Sequence, residues 1–264
     1  MISFARLAAL FLAAAAPAGA QGLRDFCPDR PGLGTPPCTI DAGHAAVELG
    51  LADWTLERDG GARTDTLQLG EILVRLGLSD RIEAQLGWTA YGRVKERNAA
   101  GRSRMDGIGD VTLALRANLA HPDGKGFSAA LMPYATLPTG NGAIGAGDWS
   151  AGLLVPVSYE LPHGLQLGLT GQVEAAADED RHGRHLAYGG VAGLSAELSE
   201  TLSATAELSA VRDEDPSGRS TELLAGLSAG WMAKDDLQLD VGANIGLNEA
   251  APDVQLYAGV SKRF

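Results

Sequence analysis

Long stretches of the chain alternate between apolar residues and polar or small residues with a period of two. In segment 237–248 every odd-numbered residue is apolar and every even-numbered residue is polar or glycine. The same pattern recurs in segments 82–89, 111–119, 165–174 and 202–210. Because successive side chains of a strand point to opposite faces, each segment has one apolar and one polar face. The period therefore predicts β-strands and argues against helices.

The alternating segments are long for strands of a soluble domain, which peak at about five or six residues. A tilted strand needs roughly 9–11 residues to cross a bilayer. We therefore predict an all-β fold, a transmembrane antiparallel β-barrel of the outer-membrane type with about 12 strands, within a range of about 10 to 14. The predicted strands are 42–57, 64–78, 81–93, 109–120, 126–137, 148–161, 164–177, 185–198, 201–212, 220–233, 236–248 and 253–264.

The connections between these strands alternate in length. Short connections follow every second strand, as at 79–80, 162–163, 199–200 and 234–235. The others are usually longer and more polar: 58–63, 94–108, 138–147, 178–184, 213–219 and 249–252. Short turns on one side and longer loops on the other are typical of outer-membrane barrels. An even number of strands would leave both termini on the short-turn side, which is the periplasm.

The last predicted strand ends the chain with Phe264 on its apolar face. An alternating final strand with a terminal phenylalanine is the feature that outer-membrane barrels present to their assembly machinery, so we interpret Phe264 as an assembly signal. The expected partners are therefore outer-membrane lipid and the barrel-assembly machinery of a Gram-negative bacterium. A soluble periplasmic β-domain is the alternative, but it explains neither the strand lengths nor this terminus.

The N-terminus has the features of an export signal. Residues 1–20 contain one positive charge, a short apolar run and small residues before Gln21, which predicts a signal peptide cleaved there. Segment 21–41 follows, and we expect it to be a periplasmic segment that precedes the barrel at 42–264. An exported chain meets an oxidising compartment, so Cys27 and Cys38 are expected to form a disulfide. A metal site built from these thiols and His44 is the weaker interpretation.

The polar face of the strands predicts the lining of the lumen. Glu71, Arg75, Glu83 and Arg116 either form ion pairs that brace adjacent strands or belong to an acidic wall that favours cations. We expect the acidic residues of the later strands to form a wetted wall. The candidate lumen-lining residues are Glu83, Gln85, Arg116, Gln172, Glu174, Glu207, Glu222, Gln238, Asp240 and Asn244.

Other ligands are not expected. A net charge of −12 and the lack of a basic stretch argue against nucleic acid as a partner. Loop 178–185 could bind a divalent ion or lipopolysaccharide phosphates, but its composition favours a solvated loop. Segment 140–147 is a glycine-rich loop that could fold inward as a gate. We therefore predict no metal site and no cofactor, and the sequence does not specify an oligomeric state.

Four motifs, in order along the chain, resemble the family called "Putative MetA-pathway of phenol degradation". They are Asp29-Arg30-Pro31, segment 73–83, Gly107-Ile108-Gly109-Asp110-Val111 and Leu137-Pro138-Thr139-Gly140, and Cys27 with Cys38–His44 resembles a cysteine-containing branch. The resemblance implies an outer-membrane barrel for uptake of small compounds, of which aromatic compounds are one class. It supplies no binding residues.

Together these features predict an outer-membrane channel for passive uptake of small molecules, with small organic or aromatic compounds as candidate solutes. The alternative is a structural or surface-binding barrel with a closed lumen. A membrane-embedded hydrolase is less favoured, since the histidines fall mostly in turns and loops without a nucleophile opposite them. We therefore do not expect an enzyme.

Overall fold

A computed structural model describes residues 22–141 and 144–264, so the predicted signal peptide at 1–20 lies outside the described residues. In the described residues, no helix is long and apolar enough to cross a membrane. The strands are β1 (Ala45–Asp59), β2 (Ala62–Ser79), β3 (Ile82–Asn98), β4 (Gly101–Gly107), β5 (Val111–Ala120), β6 (Phe127–Leu137), β7 (Ser150–Leu161), β8 (Leu165–Ala177), β9 (Arg184–Glu197), β10 (Leu202–Asp213), β11 (Ser220–Lys234), β12 (Leu237–Gly246) and β13 (Val254–Arg263).

The strands close into one antiparallel barrel. Except for β4 and β5, which both pair with β3, each strand pairs with its neighbours in sequence, and β1 pairs with both β2 and β13, which closes the ring. Strands β4 and β5 share one position, because β4 pairs with β3 at 92–98 and β5 pairs with β3 at 82–87. The barrel therefore has 12 strand positions, and the predicted fold class is confirmed.

The barrel carries its apolar side chains outside and its charges inside. Leu208 is 60% exposed and Leu227 is 63% exposed, whereas Glu48, Arg75 and Arg116 are fully buried. Large apolar groups remain in contact with the surroundings only where those surroundings are lipid or another protein. Exposed aromatic side chains lie near both ends of the strands, as in interfacial girdles: Phe127, Trp149, Tyr159, Tyr188, Trp231 and Phe264.

The two rims of the barrel differ. We call the rim with both barrel ends the terminus-side rim, where the amide of Ala45 and the carbonyl of Phe264 are 3.3 Å apart. Its connections are mostly short, at 80–81, 121–126, 162–164, 198–201 and 235–236. The opposite rim, here the loop-side rim, carries the connections at 60–61, 99–100, 138–149, 178–183, 214–219 and 247–253.

Two local features differ from the sequence-based prediction. The predicted loop at 94–108 is instead the outer part of a β-hairpin, since β3 continues to Asn98 and pairs with β4. Charged residues occupy both faces of this hairpin, so it lacks the apolar alternation that identified the other strands. Its end therefore projects beyond the apolar belt.

The apolar–polar alternation of the sequence breaks near residues 69–72, a pattern that predicts a bulge in β2. The shift in register instead lies in β1, between Gly50 and Ala52 where β1 pairs with β13. The partner position in β2 contains Gly70 with φ of 68°, a backbone conformation that favours glycine. In a regular strand an even-numbered and an odd-numbered residue point to opposite faces. The shift in register lets Glu48 and Asp53 both point inward, and both are buried.

Candidate functional site

Residues 22–41 lie inside the barrel, and we call them the inner segment. The segment enters at the terminus-side rim, where the Arg24 guanidinium donates to the carbonyl of Asp80. It turns back around residues 31–36 and returns to the same rim, where Thr39 donates to Asp80. The prediction set this segment apart from the barrel as a periplasmic segment, but the structure places it among inward-facing side chains.

A buried ionic cluster holds the base of the inner segment. Arg75 contacts Glu48 and Glu83 at 2.9 Å each, and Arg116 contacts Glu83 at 3.2 Å. Asp29 of the segment lies 3.0 Å from Arg75 and 2.6 Å from Arg116. All four barrel side chains are fully buried, so both guanidinium groups depend on these carboxylates for compensation of their charge.

Main-chain groups of the inner segment complete this cluster. Glu48 accepts hydrogen bonds from the amides of Asp29 and Arg30, at 2.8 and 2.9 Å. Glu83 accepts one from the amide of Ile40, at 2.8 Å. Because peptide N–H groups solvate the carboxylates, the cluster tolerates more carboxylates than guanidinium groups. The segment is therefore an integral part of the packed lumen.

The tip of the inner segment binds the opposite wall. Glu207 on β10 accepts hydrogen bonds from the amides of Leu33 and Gly34, at 2.7 and 2.9 Å. On β8 the Thr170 hydroxyl bonds to both the amide and the carbonyl of Thr35. Thr170 is the sixth residue of β8, roughly 17 Å along the strand from the terminus-side rim. The segment therefore fills the terminus-side half of the lumen.

Arg30 fixes the segment to a third part of the wall. Its guanidinium group contacts Asp240 at 3.0 Å and lies over the ring of Tyr257. Gly259 makes this position possible, since a Cβ there would come within 2.7 Å of the Arg30 guanidinium carbon. Gly77 has the same role at the base, because a Cβ there would lie 2.6 Å from the carbonyl oxygen of Ile40. Two strand glycines therefore let the segment approach the wall.

A disulfide between Cys27 and Cys38 joins the two arms of the inner segment, as predicted. The carbonyl of Cys27 accepts a hydrogen bond from Arg75 at 2.8 Å, and that of Cys38 accepts one from Arg116 at 2.9 Å. Both buried arginines therefore bind the main chain at the two ends of the disulfide. The disulfide closes an 11-residue separation and limits how far the arms can move apart.

Space remains between the inner segment and one side of the wall. Two adjoining cavities of about 200 and 610 Å³ lie beside the segment, and we call them together the side corridor. The barrel residues shared by both cavities are small or polar, namely Ser158, Gln166, Ser195, Ser203, Thr205 and Gln238, and the inner segment contributes Cys27, Pro28, Pro36 and Pro37 to both. Gly168 and Gly193 add no side chain to the smaller cavity. This lining favours a narrow, water-filled path along β7–β12.

The predicted lumen residues divide into two groups. The first group lies in the terminus-side half, in the ionic cluster or against the inner segment: Glu83, Gln85, Arg116, Glu207, Gln238 and Asp240. The second group lies nearer the loop-side rim. There Glu174 accepts a hydrogen bond from Tyr134, and Asn244 donates one to Gln255. Gln172 is half-buried and Glu222 is exposed.

The expectation of a wetted acidic wall on the later strands is wrong for two residues. Glu207 is bound by two peptide amides and Asp240 by a guanidinium group, so neither presents a free carboxylate to the lumen. The interpretation of Arg75, Glu83 and Arg116 as ion pairs agrees with the geometry, whereas Glu71 forms no salt bridge with any described residue. Their other partners are Glu48 on β1 and Asp29 on the inner segment. Asp29 could not be identified as a partner because the irregular inner segment has no periodic pattern.

The comparisons with known proteins agree with this architecture. Residues 28–264 match the family described as "Putative MetA-pathway of phenol degradation". The chain belongs to this family. A comparison with curated proteins found no match. The family match begins at residue 28, inside the inner segment, so it includes part of this segment together with the barrel.

Several solved structures share the fold at low sequence identity. The COG4313 outer membrane channel from Pseudomonas putida F1 has a TM-score of 0.71 and 17% identity, covering 89% of this chain and 99% of that chain. The translocator domain of the autotransporter NalP from Neisseria meningitidis has a TM-score of 0.51 and 16% identity, covering 84% and 89%. The NanC porin has a TM-score of 0.51 and 10% identity, covering 83% and 98%. The fold of this family member is therefore that of outer-membrane barrels.

Proposed function

We propose that this chain is an outer-membrane channel of a Gram-negative bacterium for passive uptake of small molecules, with both termini in the periplasm. The observation that carries the proposal is the side corridor, a partly polar space that persists although the inner segment occupies half of the lumen. The structurally similar protein from Pseudomonas putida F1 is an outer membrane channel. The family description makes small aromatic compounds one candidate class of solute.

Charge at the terminus-side mouth of the corridor favours cations over anions. The larger cavity is lined by four carboxylate side chains, which lie near the short connections, and by one basic side chain, Lys125; the carboxylates are Asp123, Glu160, Glu197 and Glu200. Exposed carboxylates in a narrow aqueous path raise the local concentration of cations. A channel of this shape should therefore pass small solutes and show a modest cation preference.

Single-channel recording of the refolded protein in a planar bilayer tests the proposal. We expect small stable openings, and a reversal potential under a salt gradient that indicates cation preference. Replacing Thr205 by Trp should reduce the conductance severalfold, since an indole at this position would fill the corridor. Ala206→Trp is the matched control, because Ala206 is the next residue of β10 and its side chain is exposed on the outer face.

Two results would contradict the channel. A folded wild-type protein that passes no current would favour the structural or surface-binding barrel, whose supporting observation is that the inner segment binds strands on all sides of the lumen. Current that is equally large in Thr205→Trp and wild type would show that solutes take another path.

A membrane-embedded hydrolase is not favoured, and we propose that the chain is not an enzyme. The histidine rings that make hydrogen bonds in the described residues contact main-chain carbonyls or carboxylates, as at His44, His182 and His185. A hydrolase would need a histidine positioned on a nucleophile. We further propose that the partners are outer-membrane lipid and the barrel-assembly machinery, which would recognise the final strand ending in Phe264.

A further inference from the structure

A cluster of one histidine and three aspartates lies at the loop-side rim, far from the inner segment. His185 Nδ1 is 2.9 Å from a carboxylate oxygen of Asp178 and 3.3 Å from one of Asp215. His185 Nε2 is 3.0 Å from a carboxylate oxygen of Asp213. The imidazole is only 6% exposed. Three carboxylates therefore surround one buried ring from two parts of the chain, residue 178 and residues 213–215.

The hydrogen bonding of the neutral ring is incomplete, whereas an imidazolium would donate to Asp178 and Asp213 at once. A carboxylate can only accept, so Nε2 must donate its proton to Asp213. In the neutral ring Nδ1 then presents a lone pair, and the two groups that face it, Asp178 and Asp215, are also acceptors. The arginines on either side of the cluster in sequence bind elsewhere, Arg184 to Asp148 and Arg212 to Glu214. A buried nitrogen lone pair and two carboxylates thus point at one another.

We propose that Asp178, His185 and Asp215 bind a divalent transition-metal ion, with Asp213 orienting the imidazole. The three ligand atoms lie within 4.8 Å of one another, a spacing that one ion can bridge. Imidazole and carboxylate ligands at about 2.0–2.2 Å are typical of zinc, whereas calcium and magnesium prefer oxygen ligands alone. A metal-bound histidine usually donates its other N–H to a carboxylate, which is the position that Asp213 occupies.

The main chain holds the two aspartate ligands in place. Asp178 donates its amide to the carbonyl of Gly183 and accepts at its own carbonyl from Arg181, which closes the β8–β9 connection tightly. Asp215 accepts from the amides of Glu179 and Ser217, at 2.8 and 2.7 Å. The ion would therefore join the β8–β9 connection to the β10–β11 connection. Sequence reasoning predicted a solvated loop at 178–185 and no metal site. Asp213 and Asp215 could not be recognised as neighbours of this loop, because they lie at least 28 residues after His185 in the chain.

Zinc titration of the refolded, untagged full chain in detergent tests the site by calorimetry. We expect one Zn²⁺ per chain, and a loss of affinity of at least about tenfold in His185→Gln and in Asp215→Asn. Asp213→Asn should retain the ligands but lose about 10–100-fold in affinity, as expected for a group that orients a ligand. His182→Gln is the matched control, since His182 lies in the same connection but its ring bonds to the carbonyl of Asp180.

Each outcome decides the proposal. A folded wild-type chain that binds no Zn²⁺ would overturn it and would leave an imidazolium as the group that fills the cluster. Equal losses in His182→Gln and His185→Gln would show only nonspecific binding, which also overturns it. Heat-modifiable electrophoretic mobility shows that each variant is folded. In addition Zn²⁺ should raise the unfolding temperature of wild type and His182→Gln but not that of Asp215→Asn.

Discussion

At the scale of single residues, the lumen is organised around two arginines that water does not reach. Arg75 and Arg116 are both fully buried, and each binds carboxylates of the barrel and of the inner segment. Ion pairs of this kind contribute less net stability than their number suggests, because desolvation of the charges offsets much of the attraction. Removal of one partner is costly, since it leaves the remaining charges buried without compensation.

Arg116→Gln should therefore lower the free energy of unfolding by about 3–5 kcal/mol, because Asp29 and Glu83 would lose a shared buried cation. Urea titration in lipid vesicles, followed by tryptophan fluorescence, measures this difference. Arg63→Gln is the control, since the Arg63–Asp65 pair lies largely in solvent and its loss should change the free energy of unfolding much less. Similar losses in both variants would contradict the assignment of Arg116 to a buried ionic cluster.

At the scale of strands, the alternation predicted the faces well because it is a local property. On β9, Leu194 is 45% exposed on the outer face, and Ser195 points to the side corridor. The alternation does not predict strands in the outer part of the β3–β4 hairpin, because both faces of that hairpin lie in water and neither needs to be apolar. It also fails at the shift in β1, since one extra residue exchanges the inner and outer sets.

A cysteine scan of β9 tests these faces. Ser195→Cys should react with a small water-soluble maleimide, whereas Leu194→Cys should react only with a lipid-soluble reagent. In the described residues both native cysteines are in the disulfide, so an introduced thiol is labelled alone. Reaction of Leu194→Cys with the water-soluble reagent in folded protein would show that the faces are reversed.

The position of the inner segment could not be predicted from the sequence by the same reasoning. Its residues between Pro28 and Pro37 have no period, so nothing local indicates which strands they contact. The signal that could have located it is the pair Arg75 and Arg116 within predicted membrane strands. A charge at that depth needs a partner, and only carboxylates of the strands themselves were considered as partners of these arginines.

At the scale of the whole molecule, the barrel and the inner segment form one packed unit, and the disulfide joins the two arms of the segment inside it. The segment occupies the terminus-side half of the lumen and leaves the side corridor beside it. Its attachment is distributed over β1, β2, β5, β8, β10 and β12, so no single contact releases it. The cross-section available to solutes is therefore set by the segment and only indirectly by the barrel.

Replacing both cysteines by serine tests this dependence. Without the disulfide the arms of the segment can separate, so we expect a larger mean conductance and more frequent fluctuations than in wild type. Wild-type protein recorded with a reductant should behave like Cys27→Ser/Cys38→Ser. Unchanged, quiet openings in both cases would show that hydrogen bonds and ion pairs alone define the cross-section.

The short link between the inner segment and β1 keeps the segment in competition with solutes for the groups it binds in the lumen. Residues 42–44 join the segment directly to the first strand, so the segment acts as a tethered ligand of its own barrel. A short tether corresponds to an effective concentration in the millimolar range, whatever the dilution of the protein. A solute that binds Glu207 or Asp240 must therefore displace a permanent intramolecular competitor, and weakly bound solutes will pass beside the segment without exchanging with it.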